Sequence, residues 1–303
     1  NLFVNQIVSH HTGLHDSDEI KGIVDQEIPS EVNIYHKKEK LNRPGLNVQA
    51  NDFHHLARIL FSCLVDADFL DTEAFMVRES YTLRQNKDAL NDLLPLLENK
   101  LKDLKAKADS SEINIIRNQI QQQCLKMADT PTGFYSLTVP TGGGKTLSSL
   151  VWAIKHALKN GQKRVIIAIP YTSIIVQTAS VLRSIFGEEN VLEHHSCVDP
   201  EQIKDEKLKE KMKLATENWD YPIIVTTNVQ LFVSMFSNKP SACRKLHNIV
   251  NSVIILDEVQ TLPTDYLQPI VDSLKTYNKL FNVSFLFTTA SQPVLSGLIE
   301  GCN

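Results

Sequence analysis

The glycine-rich segment at residues 140–146, in which three consecutive glycines precede Lys145 and Thr146, constrains this chain more than any other feature. The residues before it, 134–139, have the β-branched and aromatic composition of a strand. The residues after it place apolar side chains at helical spacing. Consecutive glycines at a helix start expose backbone N–H groups to an anion, which the helix dipole also favours. This order of strand, glycine loop and helix predicts a triphosphate-binding site.

The residue types in the glycine loop suit particular contacts with a nucleotide and its metal ion. We expect Lys145 to reach the β and γ phosphates and Thr146 to hold Mg²⁺. Val139 stands where the general pattern GxxxxGK[ST] has glycine, so the loop matches the (A/P)TGxGKT variant found in helicases. The sequence therefore predicts ATP and Mg²⁺ as cofactors. The predicted nucleotide-binding residues are Thr141, Gly142, Gly143, Gly144, Lys145 and Thr146.

Two acidic residues, Asp257 and Glu258, directly follow an apolar run at residues 253–256. In open parallel sheets, ligands bind at the carboxyl ends of the strands. We expect Asp257 to hold Mg²⁺ through water and Glu258 to orient or deprotonate the attacking water. The acids therefore belong with the glycine loop in one predicted ATPase site.

Three regions of the chain differ in their pattern. Residues 1–85 contain apolar-periodic segments and are expected to be all-helical. Residues 86–115 are rich in Lys, Leu and Asp, and they predict an exposed helical connector in which Pro95 interrupts or starts a helix. In residues 116–303, short strands alternate with amphipathic helices. The expected fold class is α + α/β, a helical part followed by a parallel sheet with helices on both faces.

The predicted elements of the sheet region follow from this alternation. Strands are expected at residues 134–139, 164–169, 223–227, 253–256 and 283–289. Helices are expected to start at Lys145, Thr172, Asn228 and Thr264. The mixed-charge segment at residues 201–217 is expected to form a solvated helix.

Gln260 and the hydroxyl residues after the last predicted strand indicate a link between the phosphate site and a second site. Residues 257–260 and 288–291 resemble motifs II and III of superfamily 2 helicases, which link the state of the γ-phosphate to the nucleic-acid site. Many relatives carry His or Asp in place of Gln260, but its amide can bond both a phosphate and a Thr hydroxyl. The predicted catalytic residues are Lys145, Asp257, Glu258 and Gln260, and the predicted coupling residues are Thr289 and Ser291.

Two further loops, at residues 170–173 and 226–228, each follow a predicted strand and begin a predicted helix. They match helicase motifs Ia and Ic. Hydroxyls and backbone N–H groups at helix starts suit phosphate contacts that hold a single strand without reading its sequence. The same residue types are the usual helix N-caps, so that alternative stays open. Trp219 and Tyr221 are expected to pack in the core rather than stack on bases. The predicted nucleic-acid contacts are Thr172, Ser173, Gln177, Thr226, Thr227 and Gln230.

Adjacent histidines, His10 and His11, lie in the helical region, and a later helical segment carries Asp66 and Asp68. The spacing of four residues from Leu64 predicts that Asp68 points toward the core. A buried carboxylate needs a partner, which a metal or a histidine provides. Because adjacent histidines are more often surface or packed residues, these residues alone leave a metal site as one alternative.

In seven segments, taken in chain order, the chain closely resembles the CRISPR-associated helicase-nucleases of type I interference systems: HHTGLHD, RILFSCLVDADFLDTE, LTVPTGGGKTLSSL, PYTSIIVQT, TTNVQLF, ILDEVQTLP and FTTAS. The resemblance spans almost all 303 residues. It implies an HD nuclease that cuts single-stranded DNA with two transition metals. It also implies an ATP-driven 3′-to-5′ translocase built on RecA-like domains, recruited by the Cascade surveillance complex to an R-loop.

The resemblance assigns metal ligation to His10, His11 and Asp68, with Asp66 as the alternative for the carboxylate. Imidazole and carboxylate ligands suit Mn²⁺, Fe²⁺ or Ni²⁺ as well as Mg²⁺, so the metal stays open. Two such ions could generate hydroxide and stabilise the leaving oxygen.

The same resemblance implies that parts of the family's machinery lie outside these 303 residues. The HD dyad and the first metal-binding histidine are expected upstream of Asn1, and the second RecA-like domain beyond Asn303. Residues 1–85 are then the C-terminal part of an HD domain, and residues 116–303 the first RecA-like domain. We therefore expect both the nuclease site and the ATPase site to be incomplete in this chain.

Composition excludes several other classes of protein. With 42% hydrophobic and 22% charged residues, the chain has ordinary globular composition, and its apolar runs are far shorter than the roughly 20 residues that span a bilayer. No signal peptide is evident at the N-terminus, and the five cysteines form no CxxC pair. We therefore expect a cytoplasmic protein with no membrane partner. A net charge of −4 with no basic block means that a nucleic-acid role rests on the motifs.

Three other functions remain open from the sequence. The chain is compatible with another superfamily 2 DNA translocase that carries an unrelated helical domain. It is also compatible with a nucleotide-dependent scaffold without turnover, although Glu258 argues against that because a binding module needs no water-orienting acid. An HD phosphohydrolase acting on small nucleotides is the third alternative, and the attached ATPase core disfavours it.

Overall fold

The computed structural model describes residues 9, 11–15, 48–85, 87–140, 142–196 and 205–290. Within these residues, six parallel strands form one sheet. The strands are β1 Phe134–Thr138, β2 Arg164–Ile169, β3 Val191–His194, β4 Ile223–Thr227, β5 Ser252–Asp257 and β6 Ser284–Thr289. Their order across the sheet is β1-β6-β5-β2-β4-β3, so the first and last strands in the chain are neighbours.

The five strands predicted from the sequence are confirmed, and one strand was missed. The missed strand, β3, has four residues, and within the described part of the chain it pairs only with β4, at the edge of the sheet. Glu193 and His194 interrupt its apolar run, so its pattern is too short and too polar to predict a strand.

The described helices follow the alternation that the sequence predicts. The first four are α1 Phe53–Met76, α2 Arg78–Gln85, α3 Leu90–Lys107 and α4 Glu112–Met127. The helices among the strands are α5 Lys145–Lys159, α6 Thr172–Phe186, α7 Glu206–Asn218, α8 Asn228–Phe236, α9 Pro240–Cys243 and α10 Leu267–Phe281. The helix expected from Thr264 begins with a 3₁₀ turn, so its α-helical part starts three residues later.

Each face of the sheet has its own hydrophobic core. Alternate residues of a strand point to opposite faces, and β2 illustrates this because all six of its residues are buried. Ile166 and Ala168 pack in a core with side chains from α1, α7, α8 and α10. Val165 and Ile167 pack in a second core with side chains from α3, α4, α5 and α6. The predicted parallel sheet with helices on both faces is therefore confirmed.

The predicted connector is helical but not exposed along its length. Leu90, Leu93 and Leu97 of α3 are at most 2% exposed and belong to the core shared with α5 and α6. Pro95 lies inside α3 and neither starts nor interrupts it, because the helix begins at Leu90 and continues to Lys107. The expectation of an exposed connector is therefore wrong for the apolar stripe of α3, which covers the sheet domain.

The helical segment before the connector packs on the other core. Ile59, Phe61 and Val65 of α1 are buried against the sheet domain. The helix predicted over residues 53–69 is confirmed and continues to Met76. Residues 1–8, 10 and 16–47 lie outside the described residues, including most of the first predicted helical segment.

Two further expectations concern the chain between β3 and β4. The predicted mixed-charge helix is present as α7, and it buries Met212 and Ala215 while most of its charged side chains face solvent. Trp219 is fully buried and Tyr221 is 3% exposed. Their predicted role in core packing is therefore confirmed. No helix in the described ranges has the length and apolarity needed to cross a membrane.

Candidate functional site

The glycine loop leaves β1 and leads directly into α5, as the sequence predicts. Gly142 and Gly144 have φ angles of +81° and +82°, which glycine adopts without steric cost. A Cβ on Gly143 would lie 3.0 Å from the carbonyl oxygen of Pro140 and closer still to Val139, so a side chain does not fit there. Outside its two chain neighbours, no atom of the described residues lies within 4 Å of a Cβ placed on Gly142, so this side of the loop is open to a ligand. The loop therefore fits a phosphate group.

The sheet order brings the acids after β5 beside this loop. β6 lies between β1 and β5, and Asp257 is in register with Thr288 while Thr138 is in register with Thr289. Lys145 Nζ lies 2.8 Å from Asp257 Oδ1 and also forms an ion pair with Glu258 Oε1. Residues that are more than 100 positions apart in the sequence thus form one charged cluster.

Each side chain in this cluster is about one-fifth exposed, so solvent only partly screens their charges. Burial works to lower the pKa of Lys145, but hydrogen bonds from its ammonium to Asp257 and Glu258 outweigh burial and raise the pKa. Burial works to raise the pKa of Glu258, but Lys145 and Gln260 outweigh it and hold that pKa below its usual value. Both shifts favour the ionised forms of Lys145 and Glu258 at neutral pH.

Glu258 has a backbone conformation that is rare for a residue with a side chain. Its φ of 48° and ψ of 53° lie in the left-handed region, which costs roughly 1–2 kcal/mol for an L-amino acid. Such strain at the end of a strand turns the acid toward the glycine loop, and strained residues cluster at functional sites.

The predicted coupling residue Thr289 is linked to Glu258 through Gln260. Gln260 Nε2 donates to Glu258 Oε2 at 2.7 Å, and Thr289 Oγ1 donates to Gln260 Oε1 at 2.8 Å. Thr288 Oγ1 donates to Asp257 Oδ1 at 2.5 Å. Ser291, the other predicted coupling residue, and Thr141 of the glycine loop lie outside the described residues. Hydroxyls at the end of β6 thus hold both acids.

The set of oxygen ligands near the loop suits Mg²⁺. Thr146 lies in the first turn of α5 with an exposed side chain, and Asp257 supplies carboxylate oxygens at the end of β5. Hydroxyl, carboxylate and phosphate oxygens are the ligands that Mg²⁺ prefers.

The predicted nucleic-acid residues divide into two groups by burial. Thr172, Ser173 and Gln177 are exposed at the start of α6. Thr227 is half-buried, and its Oγ1 accepts a hydrogen bond from the Gln230 backbone N–H at 2.8 Å, which makes it the N-cap of α8. The N-cap alternative therefore describes Thr227 in this structure.

Thr226 does not lie on the same surface. Its side chain is fully buried, and its hydroxyl donates to the His194 carbonyl oxygen at 2.7 Å. This bond joins the ends of β3 and β4. The expectation that Thr226 contacts nucleic acid is corrected, because its side chain is covered by β3 and faces away from solvent. The sequence analysis did not predict β3.

The predicted metal ligands are only partly described. His11 and Asp68 are exposed, and His10 lies outside the described residues. Among the described residues, no group of three or more His, Cys, Asp and Glu side chains is arranged to hold a metal ion. The prediction that Asp68 points toward the core is wrong, because its side chain is exposed, whereas the buried residues of this part of α1 are Ser62, Val65 and Asp66.

Asp66 is the carboxylate that this face of α1 buries. Arg244 Nε donates to Asp66 Oδ1 at 2.6 Å, and His247 Nε2 lies 3.3 Å from Asp66 Oδ2. Burial works to raise the pKa of Asp66, but His247 and Arg244 outweigh it and lower the pKa. With a guanidinium beside it, Asp66 joins α1 to the sheet domain, and this arrangement does not favour the alternative that it ligates a metal.

Sequence reasoning missed one residue that touches the glycine loop. Arg117 of α4 donates to the Gly142 carbonyl oxygen. A single arginine on an amphipathic helix carries no motif, so no pattern in the sequence identifies it. Only the packing of α4 on α5 brings it to the loop.

The parallel sheet, the glycine loop and the acids after β5 define a P-loop ATPase of the α/β class. The chain belongs to the DEAD/DEAH box helicase family, because a profile of that family matches residues 118–296, more than half of the chain.

Curated relatives refine the likeness. The CRISPR-associated nuclease/helicase Cas3 of Haloferax volcanii is 26% identical over 269 residues, which cover 82% of this chain and 28% of that protein. A putative Cas3 of Methanocaldococcus jannaschii is 36% identical over 137 residues, covering 42% of this chain and 18% of that protein. The chain thus spans less than a third of the length of these relatives. The resemblance to CRISPR-associated helicase-nucleases is confirmed.

Solved structures agree on the fold. Crystal structures of T. fusca Cas3 alone and with ADP superpose with a TM-score of 0.55, at 15% and 16% identity. The complex of the same protein with AMPPNP gives 0.53 at 17% identity. The AMPPNP and ADP complexes each cover 78% of this chain and 29% of that chain. At such low identity the likeness establishes the fold alone, which is the RecA-like parallel sheet predicted from the sequence.

Proposed function

We propose that this chain is the first ATPase domain of an ATP-dependent DNA helicase that translocates on single-stranded DNA in type I CRISPR interference. The observation that carries the proposal is the contact of Lys145 with both Asp257 and Glu258 beside an open glycine loop. Membership of the DEAD/DEAH box helicase family and the names of the curated relatives support the same conclusion.

The chain's own residues account for nucleotide binding. Backbone N–H groups of the glycine loop and the start of α5 bind the phosphates, and Lys145 adds a positive charge. Thr146 and Asp257 hold Mg²⁺. Bound MgATP supplies the phosphoanhydride bond and the cation that stabilises the developing charge.

Phosphate binding changes the partners of the charged cluster. Lys145 gives up part of its pairing with Asp257 and Glu258 as it turns toward the phosphates. Glu258 is then free to orient a water molecule and accept its proton. Gln260 carries this change to Thr289 through the hydrogen bond at 2.8 Å, and so to the end of β6.

The nucleic-acid partner follows from the exposed residues at the same edge of the sheet. Thr172, Ser173 and Gln177 are exposed hydrogen-bonding groups at the start of α6, a position suited to phosphates. Tyr171, 54% exposed, precedes them with an aromatic face of the kind that stacks on bases in single-strand binding proteins. We assign the single strand to this edge, with Thr227 and Gln230 at the start of α8 as neighbours.

The nuclease part of the proposal concerns the helical N-terminal region. The curated relatives are named nuclease/helicase, which supports an HD nuclease in the full-length protein. We assign metal ligation there to His10, His11 and Asp68, with Mn²⁺, Fe²⁺ or Ni²⁺ as the metal. We further propose a cytoplasmic protein that the Cascade complex recruits to an R-loop.

ATP hydrolysis with and without single-stranded DNA tests the translocase proposal. The experiment uses a polypeptide extended to the length of the curated relatives. We expect DNA to stimulate hydrolysis in the wild type, and Lys145→Ala and Glu258→Gln each to reduce it by at least about 100-fold. Lys155→Ala, a lysine of the same helix that pairs with Glu98, serves as the matched control and should retain activity.

Each outcome separates the alternatives. If ATP binds but DNA does not change the rate of hydrolysis, the assignment of the DNA-binding residues is wrong and the nucleotide-dependent scaffold gains support.

Metal-dependent cleavage of single-stranded DNA by the same polypeptide tests the nuclease. We expect His11→Ala and Asp68→Ala to abolish cleavage while DNA-stimulated hydrolysis continues. Cleavage that persists in both variants excludes these metal ligands.

A further inference from the structure

Arg117 of α4 holds the glycine loop from outside the P-loop motif. Its Nε and Nη2 atoms donate to the carbonyl oxygen of Gly142 at 2.9 and 2.7 Å. Its Nη1 atom donates to Asn114 Oδ1, one turn earlier in α4, at 3.1 Å. The fork of the guanidinium is therefore fixed on both sides, by a side chain of its own helix and by one peptide of the loop.

Asn114 is itself anchored in the turn between α3 and α4. Its Nδ2 atom donates to Asp109 Oδ1 at 2.7 Å. The same Asp109 oxygen accepts the Ser111 backbone N–H at 3.2 Å. A chain of hydrogen bonds thus runs from Asp109 through Asn114 and Arg117 to the Gly142 carbonyl group. The connector region and the glycine loop are joined by these bonds.

The orientation of the peptide that Arg117 holds affects the shape of the glycine loop. Gly142 and Gly144 have positive φ angles, and glycine backbones sample many conformations when nothing restrains them. A phosphate site needs the following N–H groups to converge, so the orientation of the Gly142 peptide affects those that come after it. The backbone N–H of Gly143 already donates to Pro140 O at 3.0 Å, and Arg117 fixes the other side of the same peptide.

We propose that Arg117 is a positioning residue for the phosphate site, which acts by holding the Gly142 carbonyl group rather than by touching the nucleotide. This inference rests on the proposed ATP site. Three of the N–H donors of Arg117 already bond to the protein, which favours action through the loop. The rival role is direct contact with the base or ribose, since Arg117 also lines a cleft of about 520 Å³ with Asn118, Gln121 and Leu147.

Nucleotides that differ in their phosphates separate these two roles. ADP carries the β phosphate that the glycine loop binds, and AMP lacks it. Both are measured on this chain by displacement of a fluorescent ADP analogue. We expect Arg117→Ala to weaken ADP binding about tenfold and to leave AMP binding unchanged. Equal losses for ADP and AMP, or no loss for ADP, would overturn the proposal.

Further variants keep the test independent of folding. Arg117→Lys retains the positive charge and a single donor nitrogen. It should restore only part of the ADP affinity, because a lysine cannot reproduce the paired bonds of the guanidinium. Asn114→Ala should weaken ADP binding less than Arg117→Ala, and the double variant should resemble Arg117→Ala alone. Fully additive losses in the double variant would contradict the hydrogen-bonded chain.

A matched control comes from α6. Arg183→Ala removes an arginine that pairs with Glu193 at 2.9 Å, and it should leave ADP binding unchanged. If Arg117→Ala fails to fold, the lysine and Asn114 variants carry the test. A wild type that binds no ADP contradicts the proposed ATP site itself. A wild type that binds ADP as tightly as Arg117→Ala does contradicts only the role of Arg117.

Discussion

At the scale of single residues, the ATPase cluster depends on a few ionised side chains whose partners are far away in the sequence. Lys145 lies between the carboxylates of Asp257 and Glu258, and Gln260 holds Glu258 from the other side. The residue types were predictable because phosphate chemistry requires them. Their mutual pairing was not, since it depends on β6 separating β1 from β5.

The pH dependence of stability tests the ion pair of Glu258. Its pKa in the folded protein is below the ordinary value of 4.5, so its contribution to stability is present above pH 4.5 and is lost as the pH falls through the folded value. The free energy of unfolding of the wild type should be about 1 kcal/mol larger than that of Glu258→Gln at pH 6, and the difference should be much smaller at pH 3.5.

Thermal unfolding at the two pH values measures this difference. Glu206→Gln is the control, because the side chain of Glu206 is 82% exposed and its pair with Lys209 spans 3.8 Å. The difference in stability between the wild type and Glu206→Gln should stay near zero at both pH values. A gap for Glu258→Gln that is independent of pH would contradict the ion pair.

At the scale of elements, the helices before the sheet are integral to its cores. α3 buries a leucine stripe against α5 and α6, and α1 buries Asp66 against Arg244. Sequence periodicity predicted that these segments are helical. It did not predict which face each helix buries, because that choice depends on the surface it meets.

The leucines of α3 test its packing. Leu93 is fully buried and Leu96 is 42% exposed, although they lie within one turn. Leu93→Ala should lower the free energy of unfolding by about 2–5 kcal/mol, because it leaves a cavity between α3 and α5. Leu96→Ala should change it by less than about 0.5 kcal/mol. Urea unfolding measures both, and equal effects would mean that α3 is a solvated connector after all.

The two aspartates of α1 provide a second matched pair. Asp66→Ala removes the nearest carboxylate from the buried guanidinium of Arg244, which keeps Glu217 at 3.0 Å and the ring of Phe69. We therefore expect the free energy of unfolding to fall by about 3 kcal/mol. Asp68→Ala removes an exposed carboxylate and should leave stability within about 0.5 kcal/mol. Urea unfolding of both variants measures these two changes in the free energy of unfolding. A stable Asp66→Ala variant would show that the contact with Arg244 does not hold α1 in place.

At the scale of the whole molecule, three histidines make the fold sensitive to acid: His55 and His156 are buried, and His194 is half-buried. Burial lowers the pKa of His55 to about 3 and lowers those of His156 and His194 to about 4. The unfolded chain binds protons at these sites near pH 6.5, whereas the folded chain does not. Stability is therefore fully present above pH 6.5 and is lost as the pH falls.

Between pH 6 and its folded pKa, each of these histidines should lower the free energy of unfolding by about 1.4 kcal/mol for every unit by which the pH falls. His55→Phe should have a shallower slope, because phenylalanine keeps the edge contact with Tyr277, 5.5 Å between ring centroids, without a titratable group. Urea unfolding at pH 7.5, 6.0 and 5.0 measures the slopes. Identical slopes for the variant and the wild type would exclude His55 as a cause.

Sequence patterns were sufficient to predict the glycine loop, the acids at the end of β5, the alternation of strands and helices, and the resemblance to CRISPR-associated helicase-nucleases. These features are local, because they depend on residue chemistry and on periods of two or 3.6 residues that a short segment carries. The folded structure was needed to establish the order of the strands, the burial of Asp66 rather than Asp68, the burial of Thr226 and the contact of Arg117 with the loop. Each of these depends on the surface that a distant segment presents, and no local pattern records that surface.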